Sequence, residues 1–250
     1  RVVKDGPVLQ NVLEGDAVDV LKFPVPLHHE KDKARYIGTA CCVMTQDPDS
    51  GWFNLGAYRS QVYDRNTVGC QITEGKHGRI HRDKNFERGK PMKVAIVCGQ
   101  DPLLFLLASS PLPEISELDI AGGLRGEPID VIRGPYTGFP IPADAEIVLE
   151  GETVPGQVRP EGPFGEWMGY YSDDTQPRPY VNVKSILYRN DPNKPLVLFK
   201  PEKYDPNQFG FSVSAELDWL QQHLKDFDVA GKVTDQAARG LAVQGVVKAG

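Results

Sequence analysis

What the chain lacks narrows its roles before any motif is read. Its longest apolar stretches, Val94–Cys98 and Leu103–Ala108, fall far short of the roughly 20 residues that a membrane-spanning helix requires. Basic residues are not in excess: 28 Lys and Arg stand against 34 Asp and Glu, a net charge of −6, so no basic face for nucleic acid or for an anionic membrane is expected. Cysteine is scarce, and Cys41, Cys42, Cys70 and Cys98 include no C-x-x-C pair. Cys41 and Cys42 are neighbours that would point to opposite faces of a strand, which makes them a poor joint metal site. The four read as buried free thiols in a reducing cytosol. The chain opens Arg-Val-Val-Lys-Asp-Gly-Pro, with neither an initiator Met nor the apolar core of a signal peptide. A cytoplasmic protein is expected, either a fragment or a processed chain.

The 250 residues that are present, 40% apolar and 25% charged, suit a soluble protein with one large core or two modest ones. Ile37–Met44 reads as a strand, Thr45–Gly51 as a hairpin turn and Trp52–Val62 as the return strand. Met92–Val97 reads as a buried strand. Pro102 then opens a short apolar helix to about Ser109, and Ser116 caps a second through Gly123. Further strands are predicted at Ile129–Ile132, Glu146–Leu149, Tyr180–Tyr188 and Leu196–Phe199, with Val181, Val183 and Leu187 on one face. Helical spacing returns within Ser214–Phe227 and Asp235–Lys248. Strands up to about residue 200 followed by helices indicate an α+β protein, divided into residues 1–200 and a helical segment 201–250.

The most informative string is Pro160-Glu-Gly-Pro-Phe-Gly-Glu166. Two prolines and two glycines exclude a regular helix, so Glu161 and Glu166 sit on a shaped loop where backbone can approach a ligand. Paired acids suit proton transfer. Elsewhere Asn54, His77 and Glu117 offer an amide, an imidazole and a carboxylate, a donor set for Mn²⁺ or Mg²⁺ rather than zinc. The sequence by itself does not choose them over His28, His29, Glu30 or His81.

The order Asn54-Leu-Gly-Ala-Tyr-Arg59, Lys76-His77, Ala108-Ser-Ser-Pro-Leu-Pro113, Ser116-Glu117 and Glu161-Gly-Pro-Phe-Gly-Glu166 resembles the UbiD family of reversible decarboxylases that use prenylated FMN. The likeness is collinear from about Asp16, through Pro24-Val-Pro-Leu-His-His-Glu-Lys-Asp32, to about Arg189. It implies a split β-barrel flavin-binding core with flanking helices. It further implies that Asn54, His77 and Glu117 ligate a Mn²⁺ bridging to the cofactor phosphate, with K⁺ held near Ala108–Leu112 and Lys76, Ser109 and Ser110 beside the cofactor. Lys76, Arg79 and Arg82 would add positive charge from a loop.

Arg59, Glu161 and Glu166 match the family's catalytic set. Glu166 would be the proton donor, its pKa raised by burial and Trp167 helping to keep it dry, while Glu161 stays ionised against Arg59. The substrate implied is an aromatic or α,β-unsaturated carboxylic acid, because the electron pair left by CO₂ needs a cofactor as sink. Family members extend further at both ends, and the last fifty residues here do not resemble their C-terminal domain. The chain is therefore either part of a longer protein or a small member completed by partners, as a homo-oligomer or as a cofactor-binding subunit inactive alone.

Overall fold

Alternating apolar runs shape most of the computed structural model, which describes residues 1–166, 169–172 and 175–190. The described strands are β1 (Asn11–Glu14), β2 (Arg35–Gly38), β3 (Cys42–Gln46), β4 (Phe53–Gly56), β5 (Ser60–Asp64), β6 (Thr67–Gly69), β7 (Met92–Cys98), β8 (Val131–Arg133), β9 (Pro140–Pro142), β10 (Ile147–Glu161), β11 (Phe164–Gly165), β12 (Tyr171–Ser172) and β13 (Gln176–Tyr188). Between them lie α1 (His77–Glu87), α2 (Pro102–Ser109) and α3 (Glu117–Arg125). None of the described helices is long and apolar enough to cross a membrane. The strand expected at Leu196–Phe199, the helices within Ser214–Phe227 and Asp235–Lys248, and the segment 201–250 lie outside the described residues.

Nine strands form one antiparallel sheet in the order β2-β5-β6-β13-β10-β7-β3-β4, with β1 added against β13. β4 ends this path and β5 is one strand from the opposite end, yet only Ala57–Arg59 join them. The four Cα steps from Gly56 to Ser60 span at most about 14 Å, so the sheet must curl until its ends nearly meet. Across the interior the Cys98 thiol, ending β7, points at the Ile37 carbonyl of β2 at 3.8 Å. The result is the expected α+β fold with a split-barrel core.

Strands β3, β7, β10 and β13 divide their side chains between two cores. Val43, Ile96, Leu149 and Val181 fill the barrel, while Met44, Val97 and Val148 pack outward with Leu104 and Leu107 of α2 and Ala121 of α3. Cys41 accordingly belongs to the interior and Cys42 to the helix side, and all four cysteines are buried and free. Asp101 caps α2 through the Leu103 amide (2.8 Å) and Ser116 caps α3 through the Asp119 amide (3.2 Å). Gly126, at φ 75°, ends α3.

Four expectations change. Ile37–Met44 is two strands, split around Thr39–Cys41, and Trp52–Val62 is likewise two, split at the linker that closes the barrel. In β13, Val181 and Val183 face the interior but Leu187 faces the helices. Gly151 pairs with Val183 and Glu150 with Ser185, so Lys184 is an extra residue whose bulge reverses the alternation. A side chain on Gly151 would meet the Asn182 carbonyl at 2.2 Å, which leaves room only for glycine there. Lys76, Arg79 and Arg82 are not on a loop: Lys76 precedes α1 and the two arginines lie within it. That helix has little apolar periodicity; the Arg79–Asp83 pair (2.7 Å) and Arg82 over Phe86 (5.6 Å) support it, and Gly89 at φ 65° follows its end.

His81 of α1 is 2% exposed, with Nδ1 at 2.9 Å from Thr45 Oγ1, and burial lowers its pKa to about 4. An imidazole that stays neutral when folded but charges when unfolded stabilises fully above about pH 6.5 and less as pH falls toward 4. The loss has a ceiling of about 3 kcal/mol. Denaturant titrations between pH 7 and pH 4.5 should show this acid limb in the native chain, and His81→Gln should flatten it.

Candidate active site

The closing linker ends at Arg59, and the far end of β10 delivers Glu161 beside it. Glu161 is the last residue of the β10–β13 ladder, opposite Gln176. Gly162, at φ 78°, then turns the chain into β11, which places Glu166 on the same side. Pro160 and Glu161 therefore close a strand, and the shaped loop is shorter than the sequence suggests. Arg59 forks between the two acids. Nε and Nη2 donate to Oε1 and Oε2 of Glu161 at 2.8 and 2.9 Å, and Nη1 donates to Glu166 Oε1 at 3.0 Å. The Phe164 ring lies 5.2 Å from the guanidinium carbon. Burial lowers the Arg59 pKa, but the Glu161 hydrogen bonds outweigh it and leave it raised, so the guanidinium is always charged.

The two acids are unlike in surroundings, in the opposite sense to the sequence expectation. Glu161 is the buried one, its side chain 3% exposed, whereas Glu166 is 27% exposed and sits at the rim after β11. Trp167, expected to keep Glu166 dry, lies outside the described residues. Tyr171 is at the rim, its hydroxyl accepting from the Lys31 amide at 2.9 Å, and Tyr170 is exposed.

Three residues that sequence reasoning gave no role complete this cluster. Tyr36 donates its hydroxyl to Glu161 Oε1 (3.2 Å), and Gln61 holds the backbone on both sides of Glu161. Gln61 is two residues beyond Arg59 on an extended run, so shared strand parity was the available signal. Asp32, its side chain wholly buried, accepts from the amides of His29 (2.9 Å) and Gly165 (2.7 Å) and so clamps the acid-bearing segment to residues 29–32. Gly165 is required there, because a Cβ would lie 2.4 Å from His29 Cγ.

The expected metal donors gather at the other end of the linker. Asn54 is on β4, His77 opens α1 and Glu117 opens α3. Glu117 Oε2 accepts from the Leu55 amide at 3.2 Å, one residue from Asn54. The Tyr58 hydroxyl accepts from the Gly78 amide at 3.3 Å, one residue from His77. Burial raises the Glu117 pKa, a penalty that a bound cation would relieve. The Asn54 amide nitrogen has no hydrogen-bond partner in a side chain 3% exposed. One buried carboxylate, the oxygen of a buried amide and one imidazole at a helix start fit a hard cation, and the unspent N–H of that amide suits an adjacent anion such as a phosphate.

Among the described residues no cluster of three or more His, Cys, Asp and Glu occurs; the Asn–His–Glu set draws only two donors from those types. Lys76 is exposed beside His77. Ser109 and Ser110 donate to the Phe105 and Leu106 carbonyls (2.7 and 2.8 Å), and the Ala108 carbonyl accepts from the Ala57 amide (3.1 Å), tying the end of α2 to the linker.

Residues 1–201 match the family model for the 3-octaprenyl-4-hydroxybenzoate carboxy-lyase Rift-related domain, UbiD. The pyrrole-2-carboxylic acid decarboxylase of Pseudomonas aeruginosa is 37% identical over 219 residues, covering 87% of this chain and 44% of that protein. The UbiD-class enzyme HmfF from Pelotomaculum thermopropionicum, solved with FMN, superposes with a TM-score of 0.71 at 34% identity over 76% of this chain and 42% of its own. The vanillic acid decarboxylase of Sedimentibacter hydroxybenzoicus in closed form gives a TM-score of 0.71 at 33% identity, covering 76% of this chain and 41% of that one. The chain thus spans less than half the length of these relatives. With the match extending over residues 1–201, the chain belongs to the UbiD family.

Proposed function

We propose that this chain carries the catalytic residues of a carboxy-lyase that reversibly and non-oxidatively decarboxylates an aromatic or α,β-unsaturated carboxylic acid with prenylated FMN. The observation that carries this reading is Arg59 forked between Glu161 and Glu166. Relatives named as pyrrole-2-carboxylic acid and vanillic acid decarboxylases support the substrate class. The modified flavin would supply the electron sink that no side chain offers. Asn54, His77 and Glu117 would hold Mn²⁺ against its phosphate, replacing the basic cluster that an acidic protein lacks. Lys76, Ser109 and Ser110 would flank it, with K⁺ near Ala108–Leu112.

Arg59 orients the substrate carboxylate side of the pocket, with its own plane set by Glu161. Glu166, held by one arginine N–H among the described residues and partly open, would deliver a proton to the carbon that loses CO₂ and take it back in the reverse direction. Glu161 pairs with Arg59 in two-point fashion and so serves as its partner, which divides the work between the two acids. A second reading, a cofactor-binding or assembly subunit within a homo-oligomer or a larger complex, is favoured by the relative HmfF having been solved in a dimeric form with the modified flavin.

Glu166→Gln should reduce turnover, and hydrogen exchange into the substrate, by about 10²- to 10⁴-fold while cofactor absorbance is retained. Unchanged turnover would move the acid elsewhere. His77→Ala should lose bound Mn and cofactor together, read by metal analysis and by the spectrum of the released flavin; retention of both rejects the ligand assignment. CO₂ release from a panel of aryl acids by the chain alone separates the enzyme from the subunit.

A further inference from the structure

Glu161 is held far more closely than Glu166. Its Oε1 receives Arg59 Nε (2.8 Å) and the Tyr36 hydroxyl (3.2 Å), and its Oε2 receives Arg59 Nη2 (2.9 Å). Glu166 receives one arginine N–H, at 3.0 Å, among the described residues. The backbone beneath Glu161 is fixed as well. Gln61 Nε2 donates to the Pro160 carbonyl (3.3 Å), and its Oε1 accepts from the Gly162 amide (3.2 Å) and lies 3.3 Å from the Tyr36 hydroxyl, whose single proton it shares with Glu161. A side-chain amide therefore takes the place of a neighbouring strand where the β10 ladder stops. Tyr36 is 1% exposed and Gln61 6%, and the Tyr36 ring packs edge-on to Phe164 at 4.6 Å.

We infer that Tyr36 and Gln61 are positioning residues: together they lock the Glu161 carboxylate and, through it, the plane of the Arg59 guanidinium. The inference deepens the decarboxylase reading and rests on it for the consequence in catalysis, though not for the positioning itself. Burial, reinforced by the adjacent Glu161 charge, drives the Tyr36 pKa well above its ordinary value, so the hydroxyl remains a donor at every working pH. Without that donor, Oε1 keeps only the arginine, and rotation of Glu161 would carry Arg59 with it. The geometry needs no contact between Tyr36 and substrate.

The probe is Tyr36→Phe, which keeps the ring against Phe164 and removes one oxygen. Two measurements are made: steady-state kinetics on the cofactor-loaded protein, and ¹H–¹⁵N exchange of the Arg59 Nε–H with water in the cofactor-free protein, its resonance assigned through Arg59→Lys. The expected result is a fall of about tenfold in kcat, the effect of one hydrogen bond, with KM within twofold and Arg59 Nε–H exchange several-fold faster. Gln61→Met, of similar volume, should show the same split and serves where Tyr36→Phe folds poorly. Unchanged Nε–H exchange in both variants overturns the inference, whatever happens to thermal stability. Should the native protein release CO₂ from no acid, the decarboxylase reading fails while the exchange measurement still judges the lock.

Discussion

One cation shared by two carboxylates is the interaction on which the site depends. A guanidinium buried at the seam of a barrel needs partners for its charge, and a carboxylate as buried as Glu161 needs one equally. Neither is stable there alone, and each is supplied by a segment distant in sequence: the 57–59 linker and the end of β10. The fold's closure and the meeting of the charges are thus one event. The single arginine faces two acids of unequal exposure, Glu166 being the partly open one at the rim. That asymmetry is electrostatic before it is catalytic: the enclosed acid depends on its match to the arginine, and the open one also faces solvent.

The three residues proposed as metal donors show a parallel economy. Two of its three members are first residues of helices, where unpaired amides already favour an anion. The third lies on β4, five residues before Arg59. The phosphate side and the acid side of the proposed pocket are therefore joined by the shortest stretch of chain that crosses the seam. Tyr58, within that stretch, accepts from the Gly78 amide at the start of α1, and burial pushes its pKa up to about 12, so it ties the linker to that helix as a neutral group.

Much of this was legible in the residues, and what was not has identifiable causes. Helix starts at Pro102 and Ser116 were readable because capping is local chemistry. Arg59, Glu161 and Glu166 were readable as a set through a motif match, and the structure brings them within hydrogen-bonding reach of one another. α1 escaped because its sequence has polar residues on nearly every face, and its stop signal, Gly89 followed closely by Pro91, was passed over. Leu187 was assigned to the wrong face because a bulge is a property of two paired strands, invisible from one. The relative burial of Glu161 and Glu166 was misjudged for a similar reason: exposure is set by what packs across from a segment, and Tyr36 and Gln61 arrive from elsewhere in the chain.

The three-residue bridge between β4 and β5 has a consequence for how such proteins can vary. Loops that merely connect strands absorb inserted or deleted residues at small entropic expense. Ala57–Arg59 cannot, since one residue more or fewer would change which side of the seam Arg59 faces and would pull Asn54 out of step with it. A change of substrate in this frame would then have to come from side chains, with the length of that crossing kept as it is.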